Sequence, residues 1–253
     1  MFTDAIVRTP CKNIINGITT SNEGEPDYIK AINQHKLYIN ALKYCGLEVT
    51  ILPEKENYPD STFVEDVALL TPTCAIITHP GAPSRQKETK SMKSVIIDFY
   101  DTVKIINSPG TVDAGDILMV GDHYYIGLSK RTNSAGANQI IKILEKHNLT
   151  GSTVPVKDMI HLKSGVAYLE NNNLVATGEF KNKPEFKDFN LIKIDDDESY
   201  AANCVWVNNY VFVAKGYPNT KKAIEQAGYE TIELDVSEFR KLDGGLSCLS
   251  LRF

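Results

Sequence analysis

The stretch from Asp116 to Val156, DILMVGDHYYIGLSKRTNSAGANQIIKILEKHNLTGSTVPV, decides the fold of this chain. Its first third predicts two β-strands that turn at Gly121-Asp122, because a glycine beside an aspartate between β-rich runs is a hairpin signal. Ala135 to His147 follow as a predicted helix, and Thr153 to Val156 as a further strand. The unit is therefore a strand pair, a helix and a strand.

The same order of elements recurs along the chain at intervals of about 40 to 55 residues, a period typical of propellers and other repeat architectures. In the fourth unit, Lys183 to Phe189 is too short and too proline-broken for a long helix. The other predicted elements are the strand pairs Val67–His79, Gly165–Gly178 and Cys204–Ala214, the helices Asp27–Tyr44, Lys90–Phe99 and Thr220–Ala227, and the single strands Leu47–Pro53, Thr102–Asn107, Asn190–Asp195 and Glu230–Asp235.

The fifth strand pair is predicted to join the two ends of the chain. Ser247 to Phe253 has no second strand after it, and Ala5 to Thr9 is a free run with which it can pair. Such closure leaves a ring without long exposed strand edges. We therefore predict an α/β fold of five pseudo-symmetric ββαβ units, arranged as a five-bladed propeller in a single domain that spans residues 1–253.

Composition narrows the class of partner. The chain has 253 residues, 42% of them hydrophobic, and a formal net charge of -5. Neither a basic surface for nucleic acid nor an apolar run for a membrane span is present. Met1 to Pro10 lack the basic and apolar regions of a secretory signal. We expect a cytoplasmic protein whose partner is a small molecule, with no nucleic acid and no membrane.

The five cysteines include no close pair, which argues against a disulfide framework and against a tetrathiolate metal site. Cys248 stands out because it follows Gly244-Gly245, and glycines let the backbone turn tightly and approach a ligand. We interpret Cys248 as a nucleophile. A role as small core residues is predicted for Cys11, Cys45, Cys74 and Cys204.

Polar residues precede every predicted strand pair. If rotation about one axis relates the five units, these stretches meet at that axis, and a histidine, a cysteine and several carboxylates share one cavity. Arg85 and Arg131 follow the first two strand pairs and are predicted to hold a carboxylate at the rim of this cavity. We call the five stretches the lead-in segments: Asp60–Asp66, Gly110–Asp116, His161–Gly165, Asp197–Asn203 and Asp243–Cys248.

Six short motifs, in this order, resemble those of the dimethylarginine dimethylaminohydrolases, a family of the pentein superfamily of guanidine-modifying enzymes. The resemblance implies a pentein fold and an enzyme that hydrolyses methylated arginine to citrulline and a methylamine without a cofactor. The motifs are Phe63-Val-Glu-Asp66, Gly81-Ala-Pro-Ser-Arg85, Asp113-Ala-Gly-Asp116, Ser129-Lys-Arg-Thr132, His161-Leu-Lys-Ser164 and Asp243-Gly-Gly-Leu-Ser-Cys248.

The resemblance also implies roles for individual residues. Cys248 would attack the guanidinium carbon and form an S-alkylthiouronium intermediate. His161 would protonate the leaving amine and then activate water, with Asp113 orienting the histidine. Substrate contacts are implied for Asp60, Phe63, Glu65 and Asp66 at the guanidinium, for Arg85 and Arg131 at the α-carboxylate, for Ile18 in a lid, and for the carbonyl of Leu242 at the α-amino group.

Several alternatives stay open at this level. Asp116 is the alternative partner of His161, and a homodimer is an open option for the assembly. An arginine deiminase or an amidinotransferase on the same scaffold is the alternative activity, although deiminases usually carry an acidic residue after the histidine motif and this chain has Lys163. A non-catalytic guanidine-binding propeller is the third reading. No metal is expected, since the acidic run Asp195-Asp-Asp-Glu198 is typical of a solvated loop and zinc at Cys248 would inhibit.

Overall fold

The computed structural model describes residues 1–253 and contains five sheets of three strands each. In every sheet the middle strand pairs antiparallel with an inner strand and parallel with an outer strand. The strands are β1 (Asp4–Arg8), β2 (Glu48–Leu52), β3 (Ala68–Leu70), β4 (Ala75–Ile77), β5 (Val103–Ile105), β6 (Ile117–Val120), β7 (His123–Leu128), β8 (Thr150–Pro155), β9 (Val166–Tyr168), β10 (Asn173–Ala176), β11 (Asn190–Lys193), β12 (Val205–Val207), β13 (Tyr210–Ala214), β14 (Glu230–Leu234) and β15 (Leu251–Arg252).

The order of strands confirms the five predicted ββαβ units. The sheets run β15-β1-β2, β3-β4-β5, β6-β7-β8, β9-β10-β11 and β12-β13-β14. The first sheet closes the ring, because Ala5 pairs with Arg252 and Ile6 with Leu251 in antiparallel register. The two ends of the chain therefore complete one blade, as the sequence predicts.

A helix connects the middle strand to the parallel outer strand in four units, since a parallel pair needs a crossover connection. Asp27 and Asn133 cap the first and third of these helices by accepting a hydrogen bond from a backbone N–H of the first turn. In the fourth unit, short 3₁₀ turns around Pro184 replace the helix, as expected. The helices are α1 (Tyr28–Tyr44), α2 (Thr89–Ile96), α3 (Ser134–Glu145), α4 (Pro218–Gln226) and the short α5 (Ser237–Arg240).

The core lies between neighbouring blades, and its largest cluster supports the C-terminal segment. Tyr38 of α1 is fully buried and donates a hydrogen bond to the carbonyl of Leu246 at 2.9 Å. Leu246 and Leu249, on either side of Cys248, belong to the same apolar cluster. The predicted core positions of the other four cysteines are confirmed, because all of them are buried free thiols.

Each inner strand is preceded by a 3₁₀ turn that overlaps a lead-in segment. These turns end shortly before the inner strands begin, and they gather at one end of the axis. Along the axis itself, the inner strands enclose a separate cavity of about 140 Å³. No helix of the chain has both the length and the apolar character that a membrane crossing requires. The turns are Val64–Val67, Ala114–Asp116, Leu162–Ser164, Asp196–Ala202 and Ser247–Leu249.

Candidate active site

Four of the five lead-in segments line one cavity of about 290 Å³. The fourth segment, Asp197–Asn203, does not reach its wall, so the expected convergence of all five holds for four. Apart from Glu65, all the residues given a catalytic or substrate-binding role by the resemblance line this cavity: Cys248, His161, Asp113, Asp60, Phe63, Asp66, Arg85, Arg131, Ile18 and Leu242.

Asp113 is the carboxylate that contacts the histidine. Its Oδ2 lies 3.1 Å from Nε2 of His161, and its Oδ1 accepts a hydrogen bond from the N–H of Gly81 at 2.8 Å. Asp116 is fully buried and turned away, with its oxygens occupied by the N–H of Leu162 at 2.9 Å and by two hydroxyl groups. Between the two aspartates, the geometry therefore selects Asp113 as the partner of the imidazole.

The charges around His161 favour its protonated form. Burial by itself lowers the pKa of His161, but Asp66, Asp116 and Asp113 more than offset this effect and raise it to about 9. Gly115 lets the backbone approach the ring, since a Cβ there would lie 3.1 Å from the imidazole and 2.7 Å from Asp66. The imidazolium therefore stands in a close-packed carboxylate setting at neutral pH.

Arg85 is buried in the wall of the cavity, so its predicted place at the rim is wrong. Only 5% of Arg85 is exposed. Its guanidinium pairs with Asp66 and, at 2.9 Å, with Glu88, and donates to the carbonyl of Phe63 at 2.8 Å. A planar guanidinium suits such multiple contacts. Arg85 therefore fixes Asp66 in place, while its contact with a substrate stays a prediction.

Arg131 does occupy the rim. It is partly exposed, lines the cavity beside Lys130, and its guanidinium makes no hydrogen bond or ion pair with another residue. An unpaired arginine next to a cavity is suited to bidentate binding of a carboxylate.

Cys248 lies in the 3₁₀ turn Ser247–Leu249, and its thiol is partly buried. Burial raises its pKa to about 12, and the carboxylates of Asp66 and Glu65 add to the effect. Glycine is required at position 244, because a Cβ there would overlap the ring of Phe63. The turn thus brings a neutral thiol against a carboxylate-lined cavity that is complementary to a cation.

Glu65 points away from the cavity. Its carboxylate accepts hydrogen bonds from Lys163 and from the hydroxyl of Ser247, each at 2.7 Å, and lies 3.5 Å from Arg252. Glu65 and Lys163 line the axial cavity instead. Direct binding of a guanidinium by Glu65 stays a prediction. The structure places its carboxylate against Ser247, the residue before Cys248.

The loop after Gly17 covers one side of the cavity. The N–H of Ile18 donates to Oδ1 of Asp60 at 2.9 Å, and the hydroxyl of Thr20 donates to Asp243 at 3.0 Å. The carbonyl of Leu242, in the facing segment, accepts no hydrogen bond from the protein. These positions agree with a lid and with a free acceptor for an α-amino group, and both roles stay predictions.

Comparison with known proteins identifies the family. The family described as N,N dimethylarginine dimethylhydrolase, eukaryotic, matches residues 11–250. The N(G),N(G)-dimethylarginine dimethylaminohydrolase of Pseudomonas aeruginosa is 56% identical over 254 residues, covering 100% of both chains. The chain belongs to the dimethylarginine dimethylaminohydrolase family. This family consists of dimethylargininase-type amidine hydrolases, which confirms the resemblance drawn from the motifs.

Solved structures of family members agree closely with the fold. A mutant of the Pseudomonas aeruginosa enzyme, with its cysteine changed to serine and complexed with citrulline, superimposes with a TM-score of 0.99 over 100% of both chains at 56% identity. A dimethylarginine dimethylaminohydrolase with a histidine-to-glycine change, solved as an adduct with S-methyl-L-thiocitrulline, gives the same TM-score, identity and coverage. The pentein arrangement of five blades is therefore the fold of this family member.

Several residues line the cavity although the sequence predicts no role for them. Lys157–Ile160 precede His161 directly, Lys130 precedes Arg131, and Asp243 opens the motif that carries Cys248. Their position beside recognised motif residues is the signal that could have identified them. Their side chains add two cations and two carboxylates to the cavity of this family member.

The cavity also contains a group of potential metal ligands. One atom each from Asp66, Asp113 and His161 lies within 4.8 Å of the others. Two cationic side chains already balance these carboxylates, since Arg85 pairs with Asp66 and His161 contacts Asp113. The protein's own cations therefore already occupy this group of potential ligands.

Proposed function

We propose that this family member hydrolyses Nω-methylated arginine, both asymmetric dimethylarginine and monomethylarginine, to citrulline and a methylamine. One observation carries the proposal: a single cavity holds the Cys248 thiol, the His161 imidazole and the Asp66 carboxylate, with the unpaired Arg131 at its rim. The citrulline complex of the Pseudomonas aeruginosa enzyme supports this product. The whole chain, residues 1–253, acts as one catalytic domain in this proposal.

Binding of the substrate prepares the nucleophile. A guanidinium is a resonance-stabilised cation and a poor electrophile, so it requires a soft, strong nucleophile such as a thiolate. The pKa of Cys248 is raised to about 12 by burial and by nearby carboxylates. A guanidinium beside Asp66 neutralises the carboxylate field that opposes ionisation. The cationic substrate therefore favours the loss of the thiol proton.

The reaction then proceeds in two halves. The Cys248 thiolate adds to the guanidinium carbon, the C–N bond to the methylated nitrogen breaks, and the amine leaves with a proton from the His161 imidazolium. The pKa of about 9 keeps His161 protonated for this step. Neutral His161 next takes a proton from water as its oxygen bonds to the same carbon. The C–S bond then breaks to release the thiolate, and the new hydroxyl group loses its proton to solvent to give citrulline. The adduct formed by a family member with S-methyl-L-thiocitrulline supports covalent chemistry at this site.

The Lys163 side chain points away from the cavity, and this favours methylated arginine over arginine as the substrate. Arginine deiminases usually place a second carboxylate after the histidine motif to bind the unsubstituted guanidinium. Here Lys163 pairs with Glu65 at 2.7 Å, outside the cavity. The position after the histidine motif thus supplies no second carboxylate to the cavity, which favours an N-methylated guanidinium. Arginine deiminase activity is the alternative.

A substrate panel tests the proposal. Purified protein is incubated separately with asymmetric dimethylarginine, monomethylarginine, arginine and agmatine, and the ureido product is quantified. We expect turnover of the two methylated arginines and none in Cys248→Ser. Cys11→Ala is the matched control, because it removes a buried thiol outside the cavity. Turnover by the Cys248→Ser variant would refute the mechanism. If arginine is the fastest substrate, the protein is instead an arginine deiminase.

The state of the five cysteines bears on where in the cell the protein acts. All five cysteines are free, which suits a reducing compartment and supports a cytoplasmic location.

A homodimer stays a prediction, and sedimentation analysis of the purified chain decides it.

A further inference from the structure

The fourth lead-in segment, Asp197–Asn203, lies behind the residues that carry the nucleophile and contributes nothing to the cavity wall. Its last residue, Asn203, contacts Ser247, the residue before Cys248. We propose that Asn203 is a positioning residue that holds Cys248 in register with His161. The inference rests on the proposed function, in which these two side chains form the reacting pair.

The amide of Asn203 joins two catalytic segments. Its Nδ2 donates to the carbonyl of Lys163 at 2.8 Å and to the hydroxyl of Ser247 at 3.0 Å, while its Oδ1 accepts from the N–H of Ser247 at 2.9 Å. Lys163 lies in the 3₁₀ turn directly after His161. One side chain therefore fixes the distance between the turn that follows the histidine and the turn that contains the cysteine.

The partners of Asn203 determine the orientation of its amide. A backbone N–H only donates and a backbone carbonyl only accepts, so Oδ1 must face Ser247 and Nδ2 must face Lys163. Both amide protons are used, and only 7% of the residue is exposed. In such a setting an unmade hydrogen bond costs more than one at the surface. Neither aspartate nor alanine can make all three contacts.

Other contacts hold the same segment from the sides. Tyr200 donates to the carbonyl of Gly244 at 2.8 Å, and the Ser247 hydroxyl donates to Glu65 at 2.7 Å. A Cβ on Gly245 would come within 2.5 Å of the Asn203 side chain, so backbone and amide are in close contact. Without the amide, the 3₁₀ turn that contains Cys248 loses its hydrogen-bonded connection to the turn that follows His161.

This geometry sets the expected size of the effect. A misplacement of reacting groups by about 1 Å costs on the order of 100-fold in rate. Asn203 does not touch the cavity, so substrate binding is left in place. We therefore expect kcat of Asn203→Ala to fall about 10- to 100-fold, with KM unchanged within about twofold.

The chain offers a matched control in Asn208, at the other end of β12. Asn208 also makes three hydrogen bonds through its amide, to the carbonyls of Phe2 and Cys45 at 3.0 Å and from the N–H of Phe2 at 2.8 Å. Its φ of 57° is accessible to glycine. Asn208→Gly thus removes the same number of contacts without touching the catalytic segments.

The experiment compares Asn203→Ala, Asn203→Asp and Asn208→Gly in the full chain. It measures kcat, KM, the thermal midpoint and the pH dependence of Cys248 alkylation by iodoacetamide. The other four cysteines are buried, so alkylation reports on Cys248. We expect all three variants to lower the thermal midpoint, and only the Asn203 variants to lower kcat and to shift the alkylation profile.

Equal kcat and equal alkylation profiles in Asn203→Ala and Asn208→Gly would overturn the inference. If Asn203→Ala does not fold, Asn203→Asp decides, because it keeps the shape of the side chain and the acceptor for Ser247. Alkylation needs no substrate, so a wild-type chain that turns over no guanidine refutes the proposed function alone. The comparison of alkylation profiles then still tests the role of Asn203.

Discussion

Nε2 of His161 lies 3.1 Å from Oδ2 of Asp113 and 4.0 Å from Oδ1 of Asp66. Folding therefore raises the pKa of this imidazole from 6.5 to about 9, against the opposing effect of burial. Because the folded pKa is the higher one, protonation of His161 stabilises the native state fully below about pH 6.5, and this contribution is lost as the pH rises through about 9.

Asp113→Asn is expected to lower the pKa of His161, because it removes the carboxylate in direct contact with the ring. The alkaline limb of the kcat profile, which reports loss of the imidazolium, then moves to lower pH. Titration of the ring signals by NMR and the kcat profile measure the two effects. His123, which contacts Thr150 and Ser152, is the internal control and keeps its titration curve. An unaltered His161 titration in the variant would contradict the assignment of Asp113.

Arg85→Met is expected to lower the free energy of unfolding by about 3 to 5 kcal/mol, since it leaves the buried carboxylates of Asp66 and Glu88 without their cation. Urea unfolding measures the loss. Lys181→Met is the control, because Lys181 pairs with the exposed Asp196 and such pairs contribute little. Equal midpoints for the two variants would show that the buried pair is not required for stability.

Gly115→Ala is expected to reduce kcat about tenfold or more, because its Cβ would press on Asp66 and on the His161 ring. Steady-state kinetics measures this change. Gly151→Ala is the matched substitution at a site where the new Cβ meets only apolar side chains at 3.2 and 3.3 Å, and a backbone oxygen at 3.4 Å. The prediction fails if both alanine variants retain the activity of the parent chain.

Glu65→Gln is expected to lower the pKa of Cys248, because it removes a carboxylate that raises this pKa and releases the positive charge of Lys163. Alkylation by iodoacetamide should then be faster at a given pH below the thiol pKa, and its rate profile should shift to lower pH. Glu198→Gln, a change to a buried glutamate that contacts Thr220 of α4, serves as control. A profile identical to that of the parent chain would argue against a field from Glu65 at the sulfur.

The architecture could be predicted from local signals. The hairpin at Gly121-Asp122 and the proline-broken stretch before Phe189 appear in the structure as expected. These features depend on the backbone preferences of a few neighbouring residues, which a sequence shows directly. The order of the six motifs also identified the family.

The direction of each side chain could not be predicted. Glu65 and Asp66 are neighbours in one 3₁₀ turn, where successive residues point about 120° apart, so one faces the axis and the other faces the cavity. The buried position of Arg85 likewise required Glu88 on the next turn of the same segment. Sequence spacing does not show which of two adjacent faces the fold will cover.

By itself, then, the sequence determined the five repeated units, the closure of the ring by its two ends, and the candidate nucleophile Cys248 and histidine His161. Only the tertiary structure decided that Asp113 rather than Asp116 contacts the imidazole and that Asn203 supports the nucleophile from behind. The physical reason is that these contacts join segments about 40 to 50 residues apart. Their geometry is set by how whole blades pack around the axis, and no local preference of the chain encodes it.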